Sequence, residues 1–69
     1  MKHLIIIGAG GMGRTMYDMA RESIGYGTQY DIRGFIDDNV AALDNFANYP
    51  PIIAPIQGYQ PQENEVFVC

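Results

Sequence analysis

Gly8, Gly10 and Gly13 stand at the spacing G-x-G-x-x-G, and the chemistry this spacing could do is phosphate binding. In a strand–turn–helix setting each glycine has its own task. Gly8 permits the tight turn, Gly10 lets the main chain approach a pyrophosphate with no Cβ in the way, and Gly13 lets the helix lie close on the strand. Gly11 loosens the turn further and exposes another N–H. Met12 falls inside the same turn, where a helix start offers unpaired N–H groups and about half a positive charge. Arg14 follows in the first helical turn, where the macrodipole disfavours a cation; a bound phosphate would offset that cost. Asp37 and Asp38 lie farther on, at the tip expected for a second strand. An acid there, about 20 residues past the glycines, accepts hydrogen bonds from ribose hydroxyls. Asp-Asp-Asn is also ordinary turn chemistry. Two adjacent acids disfavour a phosphorylated ribose.

These residues need elements to hold them. The apolar run of residues 2–7, with three β-branched isoleucines, predicts a strand covered on both faces. A helix is expected from Gly11 or Met12 to about Ser23. Met12, Met16, Met19, Ala20 and Ile24 recur at three- and four-residue steps and form its apolar stripe, with the methionines as core filler. Gly25 suits a left-handed helix cap. Asp18 is expected to pair with Arg14 or Arg21. A second strand covers residues 30–36, and Asp37-Asp38-Asn39 turns the chain. Val40 to Phe46 reads as one loose helical turn, and Ile52-Ile53 as a very short strand. A last strand runs from Val66 to Cys69, with Cys69 buried in it. The fold class is α/β: a small Rossmann-like β-α-β domain with a short parallel sheet. It is a shortened variant, because residues 39–65 hold no full-length crossover helix.

At 69 residues the chain is one small domain with a marginal core. The final strand stops with no turn or helix after it, so the chain is expected to be the N-terminal fragment of something longer. The net charge is −4, with four Lys+Arg and no basic cluster. Nucleic-acid or anionic-membrane partners need a positive surface, so neither is expected. A single nucleotide is not excluded, because a helix N-terminus holds phosphate without basic side chains. The lone Cys69 forms no internal disulfide, and the apolar run before Gly8 is too short for a signal or a membrane span. Both point to the cytoplasm. His3 lies at the N-terminal end of its strand, opposite the end where open α/β sheets bind ligands. The five tyrosines are scattered, with no stacking platform for single-stranded nucleic acid. No metal-ligand cluster and no nucleophile–base pair is visible.

Two blocks carry a family resemblance: Leu4 to Arg14 together with Asp18, and Gly34-Phe35-Ile36-Asp37-Asp38-Asn39. They resemble the N-terminal domain of sugar acetyltransferases of the sialic-acid O-acetyltransferase and bacillosamine-pathway type. The resemblance implies a Rossmann-like domain followed by a left-handed β-helix of hexapeptide repeats. It implies that this domain holds the nucleotide of an activated sugar, typically a UDP-amino sugar. Gly10, Gly11, Met12 and Gly13 would line the phosphates, and Asp37 and Asp38 would approach the ribose or the base. The β-helix would bind acetyl-CoA and carry a catalytic histidine, and the parent enzyme would be a homotrimer. Residues 1–69 contain no hexapeptide repeat, so alone they would be catalytically silent. The family often has histidine at position 12, where methionine cannot donate a hydrogen bond. Two other readings stay open on the residues alone. One is the NAD-binding domain of an oxidoreductase or redox sensor. The other is a non-enzymatic module that binds a regulatory nucleotide or mediates assembly.

Overall fold

A computed structural model describes residues 1–69. The chain forms β1 (Lys2–Ile7), α1 (Gly11–Arg21), β2 (Tyr30–Ile36), β3 (Ile52–Ala54) and β4 (Glu65–Val68). The strands make one sheet in the order β3-β2-β1-β4, and every pairing is parallel. This is the order of the first half of a doubly wound sheet. The expected Rossmann-like α/β fold is therefore present, with one helix and two crossovers made of turns and prolines.

The core is small and sits at the middle of the sheet. Ile6 and Phe35 lie opposite each other on β1 and β2, and both are fully buried with Ala9. Tyr17, Leu43, Tyr49 and Ile52 pack around them. On the other face Ile5 is fully buried between Gly34 of β2 and Phe67 of β4. Gly34 is a close approach: a Cβ there would stand 2.8 Å from the Pro51 carbonyl oxygen. The short strand β3 can lie against β2 only because that Cβ is missing. Only six residues are buried, so each large side chain matters, at about 1.5–3 kcal/mol for full burial.

The pairing of β1 with β2 slips between Leu4 and Ile5, leaving Arg33 out of register. Arg33 reaches across β1 to Glu65 on β4, with Nη1 2.9 Å from Oε2. Tyr59 and the Gln62 N–H also donate to this carboxylate, whose side chain is wholly enclosed. Burial alone would raise the Glu65 pKa, but the hydrogen bonds from Gln62, Tyr59 and Arg33 outweigh it and hold the group below its ordinary value. Burial and the neighbouring carboxylate push the Tyr59 hydroxyl up. This network ties the outer strand to the sheet at the N-terminal end of the strands. His3 stays at that end too, with Nδ1 2.7 Å from the Asp31 carboxylate opposite it.

Several expectations need correction. The methionine stripe does not face the core: Met12 is 84% exposed, Met19 64% and Ile24 fully exposed. Gly13 decides the helix's orientation instead, because it rests on the Gly8 carbonyl, and Tyr17 then meets the sheet. Gly25 is not a left-handed cap. The helix closes through the Glu22 and Ser23 N–H groups onto Met19 and Ala20, and the left-handed residue is Gly27. The Gly25 carbonyl instead accepts from Thr28, Gln29 and Tyr30, and the Tyr30 hydroxyl donates to the Ala20 carbonyl. Asp18 forms no ion pair; the two ion pairs are His3–Asp31 and Arg33–Glu65. Cys69 lies just past β4 and is exposed, because β4 ends at Val68. Residues 40–46 form a run of turns rather than a helical turn, with the Ala42, Asp44 and Phe46 N–H groups each bonded three residues back.

Gly13 provides the first prediction. A Cβ at this position would stand 1.9 Å from the Gly8 carbonyl oxygen, so Gly13→Ala must push α1 off the strand. The expected loss is about 3 kcal/mol, the upper end of overpacking costs. Urea unfolding should show a lower midpoint at unchanged slope, and an unchanged midpoint would mean that the helix is not seated on Gly8.

Candidate functional site

The glycine turn leaves β1 at the C-terminal edge of the sheet. Gly8 takes φ +91°, which side-chain-bearing residues avoid, and its N–H donates to the Ile36 carbonyl at 2.8 Å. The next N–H, of buried Ala9, donates to Asp37 Oδ2 at 2.8 Å. Gly10 is the N-cap of α1 and has no capping side chain. The first helical bond runs from the Arg14 N–H to the Gly10 carbonyl at 2.9 Å. The N–H groups of Gly10, Gly11, Met12 and Gly13 therefore have no acceptor within the chain. No acidic residue lies in the first turn. Four free donors and the positive end of the helix dipole meet at one edge, which is the electrostatics of an anion cradle.

The glycines of this turn differ in what they are for. Gly13 is required by the fold, as its contact with Gly8 shows. Gly10 is not: its φ is −73° and a Cβ would meet nothing within 4 Å. No contact of the chain itself demands glycine at position 10. Met12 contributes a main-chain N–H here, while its side chain joins Gly11, Thr15, Met16 and Met19 around an apolar groove of about 230 Å³ on the outer side of α1. A second concavity, lined by Asp18, Arg21 and Glu22, lies at the far end of the helix.

Arg14 folds back over the turn. Its Nη1 donates to the Ala9 carbonyl at 3.1 Å, and its guanidinium carbon sits 3.9 Å from the centre of the Phe46 ring. It has no carboxylate partner. Asp37 is a latch: Oδ2 accepts from Ala9 and Oδ1 accepts from the Asn39 N–H at 2.8 Å. Those two main-chain donors, Ala9 first, hold its carboxyl below the ordinary range against a smaller desolvation effect. Asp38 ties down a different loop, accepting from Ile56 and Gln57 on Oδ1 at 2.9 and 3.3 Å, while Oδ2 has no partner within the chain. The structure thus gathers Gly8, Gly10, Gly11, Met12, Gly13, Arg14 and Asp37 at one turn, with Asp38 beside them at the tip of β2.

A family model for the PglD N-terminal domain matches residues 3–69. The chain belongs to this family. The family takes its name from the N-terminal domain of the bacillosamine acetyltransferase PglD, and its model indicates the N-terminal domain of a sugar acetyltransferase. No curated protein and no solved structure matches the chain. In this PglD-type domain no three His, Cys, Asp or Glu side chains group as metal ligands, and no helix is long and apolar enough to cross a membrane. The family agrees with the resemblance carried by the glycine and Gly34–Asn39 blocks.

Phe46 and the Ala9 N–H are parts of this site that sequence reasoning missed. Phe46 lies 32 residues beyond Arg14 in a stretch of weak periodicity, and no local spacing links the two. Asn39 was legible as a turn residue but not as a donor to Asp37.

Because the folded-state pKa of Asp37 is depressed, its stabilising contribution is complete above about pH 4 and is lost as pH falls through the folded value. Asp37→Ala should cost about 2 kcal/mol at pH 7, since it leaves the buried Ala9 N–H unpaired. The same variant should flatten the acid limb of the stability curve below about pH 4. Urea midpoints across pH for both proteins test this, and parallel curves would show that Asp37 fastens nothing.

Proposed function

We propose that this domain holds the nucleotide of a nucleotide-activated amino sugar, typically a UDP-sugar, for an acetyl-CoA-dependent sugar O- or N-acetyltransferase. The observation that carries the reading is the set of four acceptor-free N–H groups at Gly10–Gly13, at an edge where no acid competes for them. The diphosphate sits on these donors, with Arg14 supplying charge. The Ala9 N–H is unavailable, because Asp37 already holds it. Of the two acids at the β2 tip, Asp38 has the unpartnered oxygen and is the better acceptor for a ribose hydroxyl.

Chemistry is not the task of these residues. Their side-chain hydrogen bonds run to main-chain atoms, and no nucleophile is paired with a base. In the parent enzyme an acetyl group passes from the thioester of acetyl-CoA to a sugar amine or hydroxyl, in a hexapeptide-repeat β-helix outside this segment that also builds a homotrimer. The domain contributes binding and orientation. The setting is the cytoplasm, where acetyl-CoA and nucleotide sugars meet, and the pathway is glycan synthesis.

The test uses Gly10→Thr. Threonine caps a helix about as well as glycine, and a Cβ at this position meets nothing within 4 Å. The variant should unfold within a few tenths of a kcal/mol of the parent. It should bind UDP at least about tenfold more weakly, because the side chain stands where a phosphate approaches. Amide NMR titration with UDP should move Gly10–Arg14 and Asp38 in the parent. Equal UDP affinity for both proteins would rule out the glycine turn as the site, and equivalent binding of NAD would favour a dinucleotide domain.

A further inference from the structure

Arg14 is a cation in the first turn of a helix, where the dipole opposes it, and no carboxylate compensates. An arginine in that setting would be expected to extend into water. Here it is curled back over the glycine turn and held by two contacts, one to the Ala9 carbonyl and one to the face of Phe46. The ring is itself fixed. Phe46 meets Tyr49 edge-on at 6.3 Å, and Tyr49 packs at 5.4 Å from Tyr17 and 6.4 Å from fully buried Phe35. A file of aromatic rings therefore leads from the core to the guanidinium. The turns of residues 39–46 deliver Phe46 to this place, and Asp37 anchors their start through the Asn39 N–H. Phe46 remains 38% exposed, so filling the core does not explain it.

We infer that Phe46 is a positioning residue that holds the Arg14 guanidinium over the glycine turn for the diphosphate of the ligand. This rests on the reading that the Gly10–Gly13 N–H groups bind phosphates. Stacking occupies a face of the guanidinium and leaves its edge for hydrogen bonds. Only one of its five N–H donors is used within the chain, on the Ala9 carbonyl. The others remain for phosphate oxygens, in the planar fork that suits bidentate contact. Fixing the fork before the ligand arrives removes the ordering cost from the binding step.

The experiment is a double-mutant cycle on the 69-residue chain, read by UDP affinity and by NMR of the Arg14 side chain. In the parent, the Arg14 side-chain protons should show the upfield ring-current shift of a stacked guanidinium. Phe46→Leu should abolish that shift and weaken UDP about fivefold, the scale of a partly desolvated cation–π contact. Phe46→Tyr should restore both. In an Arg14→Ala background, Phe46→Leu should change UDP affinity no further. Phe46→Met, flexible and without a ring, replaces the leucine variant if that protein unfolds. Equal weakening with and without Arg14, or loss of the shift with unchanged affinity, overturns the positioning role and leaves the nucleotide reading standing. Absence of UDP binding by the parent overturns both.

Discussion

The contact of Gly13 with the Gly8 carbonyl is the constraint on which the rest of this domain depends. It fixes how far α1 stands from β1 and which face of the helix meets the sheet. Once that face is fixed, Tyr17 enters the core and the methionines do not. The same contact brings the helix start to the sheet's C-terminal edge, where its first N–H groups are left without acceptors. One close approach between two glycines thus sets both the packing and the electrostatics of the candidate site.

Charge is used here mainly to fasten main chain. Asp37 joins the glycine turn to the start of the 39–46 turns, and Asp38 joins the tip of β2 to the loop after β3. This has a consequence for anion binding. A carboxylate beside an anion is repulsive, yet the Asp37 charge is offset in part by the Ala9 and Asn39 main-chain dipoles that donate to it. Arg14 stands at the same turn and supplies the opposite charge. An acidic chain can therefore present a locally electropositive edge, because what matters to one ligand is the field at that edge and not the net charge.

How much of this was legible in the sequence follows from how local each interaction is. β1 announced itself through an uninterrupted apolar run, and α1 through the glycine turn before it, since both signals lie within a few residues. The glycine spacing identified Gly8 and Gly13 for the right geometric reasons. The methionine stripe misled because periodicity reports that a helix has an apolar face but not which face a tertiary contact selects. Gly25 misled because its small size serves a close approach to the Tyr30 ring rather than a left-handed backbone. The stacking of Arg14 on Phe46 and the bridge from Arg33 to Glu65 each join residues 32 apart, so no window of sequence contains them. The aromatic file was hidden likewise, as scattered tyrosines and phenylalanines that only the fold assembles.

If the ligand is held through the main chain, as proposed, methionine is tolerable at position 12. Its backbone N–H belongs to the free set, while its side chain lies in the outer groove of α1 and takes no part in the turn. A side-chain donor at that position would add a contact, but it is not what makes the cradle. The cradle comes from the helix start and the absence of a Cβ at Gly10, and these survive any change at position 12 that leaves the helix in place. Side chains then act on top of it. In the proposed site Arg14, stacked on Phe46, would contribute charge, and Asp38 would contribute an acceptor. On the proposed function this would be a division of labour in which the backbone sets the class of ligand, an anion of phosphate size, and a few side chains around it tune which nucleotide is preferred.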